Sequence, residues 1–169
     1  MAHQDPIPAE VGRAKLAELL KRARVCMLTT TTADGRHVSR PMGLPEADFD
    51  GELWFFADAG SDKVAEIRTE PRVNVSVSDL RHHAWVSLSG TADVVDDPAR
   101  AADLWHPFLK TWFPDGPSTP GLTLIRFRAE SAEYWDSPGA LVTTVIGFVT
   151  ASIVGRRPDM AEHETVSLG

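Results

Sequence analysis

Cysteine is almost absent from this sequence, since Cys26 is the single one in 169 residues. One cysteine can form neither an internal disulfide nor a zinc site with several cysteine ligands. A lone thiol fits a reducing compartment, and residues 1–16 lack the apolar core of a secretory signal peptide. We therefore expect a cytoplasmic protein in which Cys26 is a small buried side chain rather than a nucleophile.

An excess of positive charge is also lacking. Lysine and arginine together number 17 against 24 aspartates and glutamates, so the formal net charge is −7 at pH 7. Nucleic-acid-binding domains usually carry a basic patch or stripe, so we expect no nucleic-acid partner. The histidines form no HxxxH or HExxH pattern, and the adjacent His82 and His83 would point to opposite faces of an extended chain. We predict no metal site.

Long apolar runs are scarce. Residues 141–155 (LVTTVIGFVTASIVG) carry no charge, but they fall short of the roughly 20 residues that a membrane-spanning helix needs, and four of them are threonine or serine. We predict that this stretch is a buried helix or a buried strand and that the protein has no membrane partner. With 43% hydrophobic and 24% charged residues, the chain has the composition of one globular domain.

Hydrophobic periodicity divides the chain into helices and strands. Apolar residues spaced by three predict a helix over residues 10–24. Turn and capping signals predict two more, over residues 63–69 and from Asp97 toward Trp112. Alternating or β-branched segments predict strands over residues 25–32, 36–42, 52–57, 73–78, 84–95 and 122–135. The short connections favour an antiparallel sheet, and closure into a small barrel flanked by helices would remove its exposed edges.

The chemistry of the sequence is concentrated where an aromatic strand meets a helix. Residues 52–67 read ELWFFADAGSDKVAEI, and the Gly-Ser turn opens a helix whose free amide groups and dipole favour an anion. Ser61 offers a hydroxyl and Lys63 a positive charge, which together would suit a phosphate monoester. The alternative is that Ser61 only caps the helix and that Lys63 is solvated.

A second candidate group lies in the extended segment SRPM, residues 39–42, which we expect to pair with the strand 52–57. Arg40 lies among apolar neighbours and needs a partner there. That partner is either the same phosphate or one of the 24 acidic side chains. Trp112 and Trp135, near the end of a loop and of a strand, are placed to present a ring to a planar ligand, with core packing as the alternative.

These segments resemble, in the same order, the general stress protein branch of the pyridoxamine-phosphate-oxidase-like, flavin-binding split-barrel family. The resemblance covers about residues 10–158. It is carried by SRPM at 39–42, ELWFFADAGSDKVAEI at 52–67, PRVNVSVSD at 71–79, WVSLSGTADVVDD at 85–97 and LWHPFLKTWFPDGPSTPGLTLIRFRAESAEYWDSPG at 104–139. It implies a β-rich α+β fold, a six-stranded antiparallel split β-barrel with flanking helices, between an N-terminal tail (1–9) and a C-terminal tail (159–169).

The resemblance also implies a homodimer that binds FMN at the subunit interface. The cofactor-binding residues that it implies are Ser39, Arg40, Pro41 and Met42 beside the ribityl and phosphate groups, Trp54, Phe55, Phe56 and Ala57 along the isoalloxazine edge, Ser61 and Lys63 at the phosphate, and Trp112 and Trp135 from the partner subunit or the rim of the groove. Two positions depart from the family pattern. Ala57 stands where Thr or Ser is expected, and Asp62 adds a negative charge beside the phosphate position.

The function that we expect is that of an FMN-binding, oxidoreductase-like protein of the general stress family. The flavin would transfer electrons or hydride to or from a small-molecule substrate that the sequence does not identify. No catalytic residue is assigned, and the basic residues that bind substrate in true pyridoxamine-phosphate oxidases are not found. Two alternatives stay open, namely a non-catalytic flavin-binding stress protein and a relative that binds a deazaflavin or haem.

Overall fold

The computed structural model describes residues 9–44, 49–136 and 162–167. Its helices and strands are α1 (Ala9–Arg22), β1 (Val25–Thr31), β2 (His37–Gly43), β3 (Glu52–Asp58), α2 (Asp62–Thr69), β4 (Arg72–Asp79), β5 (Ala84–Val95), α3 (Pro98–Asp103), β6 (Leu122–Asp136) and β7 (Glu162–Ser167). Short 3₁₀ segments, Pro107–Thr111 and Gly116–Ser118, connect α3 to β6. The apolar stretch 141–155 lies outside the described residues. No described helix has the length and apolar character that crossing a membrane requires.

The strands form one antiparallel sheet in the order β2-β1-β4-β5-β6-β3, with β7 added beside β6. Six strands curl into a half-barrel with flanking helices, which confirms the predicted split barrel. Strand β3 pairs with β6 and β2 pairs with β1, so the predicted pairing of β3 with β2 is wrong. Strands β2 and β3 therefore lie at the two ends of the six-strand order, because β2 pairs with β1 and β3 pairs with the long β6.

Strand β7 lies in the segment 159–169, which the sequence had indicated as a tail. Its pattern, EHETVS, has one apolar residue and no alternation, so periodicity gave no signal for a strand. The pairing of β3 with β6 stops at Arg128, which leaves the later edge of β6 open. Strand β7 covers that edge, from Ser131 to Asp136.

The inner face of the sheet and the helices α1 and α2 form the main core. Alternate residues Val73, Val75 and Val77 of β4 are buried, as the sequence predicted. Leu16 of α1 and Val64 of α2 are fully buried against the sheet. Helix α2 packs against β1 and β5, and helix α1 packs against β4 and β5.

The predicted helix from Asp97 toward Trp112 is correct only at its beginning. The Asp97 side chain caps α3 by accepting a hydrogen bond from the Arg100 amide at 2.9 Å, and Pro98 occupies the first turn. The helix ends at Asp103, and Pro107 starts a separate 3₁₀ segment. A proline has no amide hydrogen for the helical ladder, which explains the break.

Away from Arg72 and Asp93, the outer face of β1, β2, β4 and β5 carries a patch of side chains without charge. Cross-strand pairing places small polar and apolar side chains side by side there. We call these residues the neutral face: Val25, Met27, Thr29, Ser39, Pro41, Asn74, Ser76, Ser78, Trp85, Ser87 and Ser89. Hydrogen bonds between Thr29 and Ser39, at 2.7 Å, and from Asn74 to Ser87, at 2.9 Å, join neighbouring strands across it.

Candidate flavin-binding groove

A groove of about 470 Å³ lies at the open seam of the half-barrel, between the ends of β2 and β3. Lys63 in the first turn of α2 and the 3₁₀ segment Pro107–Thr111 contribute to its walls. Its lining residues are Val25, Arg40, Pro41, Met42, Gly43, Phe56, Ala57, Asp58, Lys63, Phe108, Leu109, Trp112, Phe113, Thr119 and Pro120. A groove of this volume with mostly apolar walls and a few charged groups at one end is typical of a cofactor site.

Aromatic side chains form one wall of the groove. Phe108 and Trp112 meet edge to face with their ring centroids 5.0 Å apart, and they are 50% and 59% exposed. Phe108 approaches β2 at Gly43, where an added Cβ atom would lie only 3.7 Å from the ring. Phe113 packs against Phe56 at the base of the same wall. The exposed rings of Phe108 and Trp112 offer apolar contact area to a planar ligand.

The charged end of the groove contains Arg40, which has partners of its own. Its Nη1 donates to Thr30 Oγ1 at 2.6 Å and its Nη2 donates to Glu66 Oε2 at 2.9 Å. Thr30 Oγ1 also donates to Glu66 Oε2, at 2.5 Å, and the Thr30 side chain is fully buried. Arg40 therefore has an acidic partner, one of the two kinds of partner that the sequence indicated, and it also lines the groove.

Lys63 projects from the first turn of α2 and is half-buried at the same end of the groove. Burial lowers the pKa of its ammonium group, and the positive charge of Arg40 lowers it further, while the nearby carboxylates of Asp58, Asp62 and Glu66 oppose this shift. Lys63 is therefore not the freely solvated side chain of the alternative reading. It is a cation at the groove wall whose charge costs energy to bury.

Ser61 is the N-cap residue of α2, but its side chain does not make the capping bond that the sequence had indicated. Its hydroxyl donates to the backbone carbonyl oxygen of Asp58 at 2.6 Å and makes no capping bond to the helix. It also lies outside the groove lining. The tight turn explains this, because the Ser61 amide donates to the same carbonyl and the Gly60 amide donates to Asp58 Oδ1.

The groove brings together seven of the twelve predicted cofactor-binding residues: Arg40, Pro41, Met42, Phe56, Ala57, Lys63 and Trp112. Ser39 and Phe55 do not line the groove. Ser39 lies on the neutral face bonded to Thr29, and Phe55 is fully buried in the core. Arg40, which follows Ser39, and Phe56, which follows Phe55, do line the groove.

The two remaining tryptophans also lie away from the groove. The ring of Trp54 contacts two guanidinium groups, with Arg100 Cζ at 5.0 Å and Arg126 Cζ at 5.7 Å from its centroid. Trp135 pairs with Trp85 near the end of β6, whereas the groove lies near the beginning of that strand. At about 3.3 Å per residue, these two ends of β6 are roughly 40 Å apart along the strand.

Several groove residues were not predicted from the sequence. Phe108, Leu109 and Phe113 belong to the aromatic run HPFLKTWFP, and that clustering was the available signal. Glu66, which holds Arg40, follows Lys63 by three residues on α2. This spacing places both side chains on one side of the helix, so helical geometry would have pointed to Glu66.

Chemically reactive groups beyond this charged end are few in the part of the chain that the structure describes. Burial raises the pKa of the Cys26 thiol to about 12, so Cys26 is not a thiolate at neutral pH. Within the described ranges, no group of three or more His, Cys, Asp or Glu side chains is arranged to hold a metal ion. The groove is thus suited to binding a ligand rather than to nucleophilic chemistry by the protein.

Comparison with protein families matches residues 12–159 to the model described as pyridoxamine 5'-phosphate oxidase like. The chain belongs to the pyridoxamine 5'-phosphate oxidase-like family. This confirms the resemblance described from the sequence. Among curated proteins, the family relative Protein bli-3 of Neurospora crassa is 27% identical over 160 residues, which cover 89% of this chain and 77% of that protein.

Solved structures of similar proteins agree with the family and the fold. A candidate general stress protein 26 from Jannaschia sp. CCS1 has a TM-score of 0.73 and 25% identity, covering 95% of this chain and 100% of that chain. The general stress FMN/FAD binding protein from Xanthomonas citri has a TM-score of 0.67 and 30% identity, covering 77% of this chain and 92% of that chain.

Proposed function

We propose that the protein binds FMN in the groove and works as a flavin-dependent, oxidoreductase-like member of its family, with a small-molecule redox partner. The observation that carries this proposal is the groove itself, in which an exposed aromatic wall faces an apolar floor and two cations lie at one end. The similarity to a protein named as FMN/FAD binding supports the flavin. When bound, the flavin supplies the electron or hydride transfer, while the protein binds and orients it.

The lining residues fit the two parts of FMN. The isoalloxazine ring would lie between the edge of β3, at Phe56 and Ala57, and the wall formed by Phe108 and Trp112. The phosphate end would lie at Lys63, where the amides of the first turn of α2 precede the intrahelical hydrogen bonds. Ala57 has no side-chain hydroxyl, so polar contacts of β3 to the ring would come from its backbone.

We also propose a homodimer formed through the neutral face. Interfaces are depleted in charged residues at their centre, and this face exposes Val25, Met27 and Trp85 among small polar side chains. Val25 belongs both to this face and to the groove lining, so a second copy seated on the face would border the flavin. The partner subunit's Trp135 is the proposed contribution of that copy to the groove rim.

One alternative, flavin binding without turnover, is favoured by the distribution of charge. The charged lining residues Arg40, Asp58 and Lys63 all lie at the proposed phosphate end. The aromatic end therefore offers no charged acid or base to a substrate.

For the alternative of a haem-binding relative, the described lining contains no histidine or cysteine, the commoner axial ligands. A cytoplasmic location belongs to the same proposal, and the buried, isolated thiol fits it.

The test is the absorbance spectrum of the freshly purified protein, followed by mass identification of the molecule released on denaturation. We expect a flavin doublet and FMN, and saturable binding when the apoprotein is titrated with FMN. A single deazaflavin band, a Soret band, or a titration without saturation would contradict the proposal. Turnover of NAD(P)H or of a dye by the loaded protein separates the enzyme from the non-catalytic alternative.

The dimer is tested separately by sedimentation of the wild type and of Met27→Glu. A charge at the centre of the neutral face should shift the protein to monomer. Lys110→Glu, an exposed change outside the face, should not. A monomeric wild type would contradict the dimer and leave the groove proposal intact.

A further inference from the structure

Three carboxylates lie close to the two cations at the charged end of the groove, although Asp58 is the only one of the three that lines it. The cations are Arg40 and Lys63, and the carboxylates of Asp58, Asp62 and Glu66 all act electrostatically on Lys63. A phosphate dianion would therefore enter a corner where the cations are already compensated. This arrangement differs from a site built of free arginines and lysines, in which each charge-assisted hydrogen bond to the phosphate contributes fully.

Glu66 is the carboxylate that most directly opposes a phosphate. It accepts from Arg40 Nη2 at 2.9 Å and from Thr30 Oγ1 at 2.5 Å, so its oxygen Oε2 is fixed against the guanidinium. The Glu66 side chain is 12% exposed and that of Arg40 is 20% exposed. Charges so little exposed to water interact strongly, so the negative charge of Glu66 offsets most of the attraction that Arg40 would exert on an anion.

The other two carboxylates reinforce the effect from the turn and the helix. Asp58 lines the groove and its Oδ1 accepts from the Gly60 amide at 2.7 Å, which holds the carboxylate in place. Asp62 occupies the first helical position beside Lys63 and is exposed. Solvent screens Asp62 more than Glu66, so its influence on a bound phosphate should be smaller.

We propose that Glu66 sets the discrimination between phosphorylated and unphosphorylated flavins, and that the groove accepts riboflavin nearly as well as FMN. This inference rests on the proposed flavin-binding function. The ring-binding walls are common to both ligands, so the difference between them arises only at the charged end. The compensated cations there should give FMN an advantage of no more than about tenfold, the equivalent of a single weak contact.

The experiment compares FMN and riboflavin titrations of the wild type, Glu66→Gln and Glu70→Gln, followed by flavin fluorescence. The amide of Glu66→Gln keeps an oxygen for Thr30 and Arg40 but removes the negative charge. We expect FMN to bind this variant about tenfold more tightly than the wild type, with riboflavin binding unchanged. Glu70 also pairs with an arginine, Arg72, but lies outside the groove, so Glu70→Gln should leave both affinities unchanged.

A second variant, Asp62→Asn, keeps the Arg40 contacts intact and should raise the FMN-to-riboflavin preference by a smaller factor. A wild-type preference for FMN clearly above about tenfold would overturn the inference while supporting the proposed function. A preference that does not change in either variant would also overturn it. If neither flavin binds the wild type, the proposed function itself fails, and the inference with it.

Discussion

Two arginine–carboxylate pairs of this protein have the same shortest contact distance in different surroundings. Arg40 Nη2 lies 2.9 Å from Glu66 Oε2 at the groove, and Arg126 Nη2 lies 2.9 Å from Asp93 Oδ2 on the outer face of β5 and β6. The side chains of the first pair are 20% and 12% exposed, and those of the second are 31% and 40% exposed. The contact distance alone does not determine what a pair contributes, because access of water sets both its cost and its strength.

The residues around the two pairs make them differ further in their access to water. Arg40 and Glu66 share the fully buried hydroxyl of Thr30, so loss of one partner leaves a charge in a place that water barely reaches. Asp93 is shared instead by Arg126 and by Arg128 at 3.0 Å, and all three side chains remain accessible to water. The Arg40–Glu66 pair thus holds two side chains in place at the groove, whereas the Arg126–Asp93 pair belongs to a solvated surface network.

The largest effect should follow from removing the arginine of the groove pair. Arg40→Met leaves the Glu66 carboxylate without its cation, and we expect a loss of about 2 kcal/mol in the free energy of unfolding, since the pair keeps some contact with water. Urea denaturation of the apoprotein measures it. The matched Arg126→Met variant should lose much less, and equal losses in both variants would show that burial does not distinguish the pairs.

A smaller effect is expected on ligand binding when the other groove cation is removed. Lys63→Met should weaken FMN binding by about 1 kcal/mol, roughly fivefold, and leave riboflavin binding unchanged, as measured by fluorescence titration. Lys110→Met, in the 3₁₀ segment but outside the groove lining, is the control. Equal weakening of FMN and riboflavin would place Lys63 away from the phosphate.

Lys63→Met should also change how the stability of the folded protein depends on pH. The lowered pKa of Lys63 means that its charged form is disfavoured in the folded protein. Its contribution to stability is therefore unfavourable at neutral pH and improves as pH rises through the lowered pKa toward 10.5. We expect Lys63→Met to be at least as stable as the wild type at pH 7, and a clear loss of stability in thermal unfolding would contradict this.

The sequence predicted what local pattern determines. Alternation identified the buried side of β4 at Val73 and Val75, and the Asp97 cap marked the start of α3. It did not predict the pairing of β3 with β6, because those strands are separated by a long stretch of chain and several partners satisfy the same pattern. The hydrogen bond from the Ser61 hydroxyl to the Asp58 carbonyl was not predicted, for a different reason. A hydroxyl in a turn can bond to a nearby backbone amide or to a nearby carbonyl with similar energy.

A minor effect on stability is expected at the outer pair. Arg126→Met removes the contacts to Asp93 and one of the two guanidinium groups packed on Trp54, and should cost about 0.5 kcal/mol in urea denaturation. Arg128 stays available to Asp93, which limits the loss. A loss as large as that of Arg40→Met would show that this network is shielded from water despite its exposure.

The finest distinction between the pairs is their response to salt. At about 1 M salt the Debye length falls to about 3 Å, so the difference in stability between wild type and Arg126→Met should nearly vanish. The difference between wild type and Arg40→Met should persist, because the Glu66 side chain is only 12% exposed and Thr30 is fully buried. Urea denaturation of the three proteins at low and high salt measures both. Equal salt sensitivity would mean that solvent ions reach the Arg40–Glu66 pair as easily as the outer one, and Glu66 would then be too well screened to oppose a flavin phosphate.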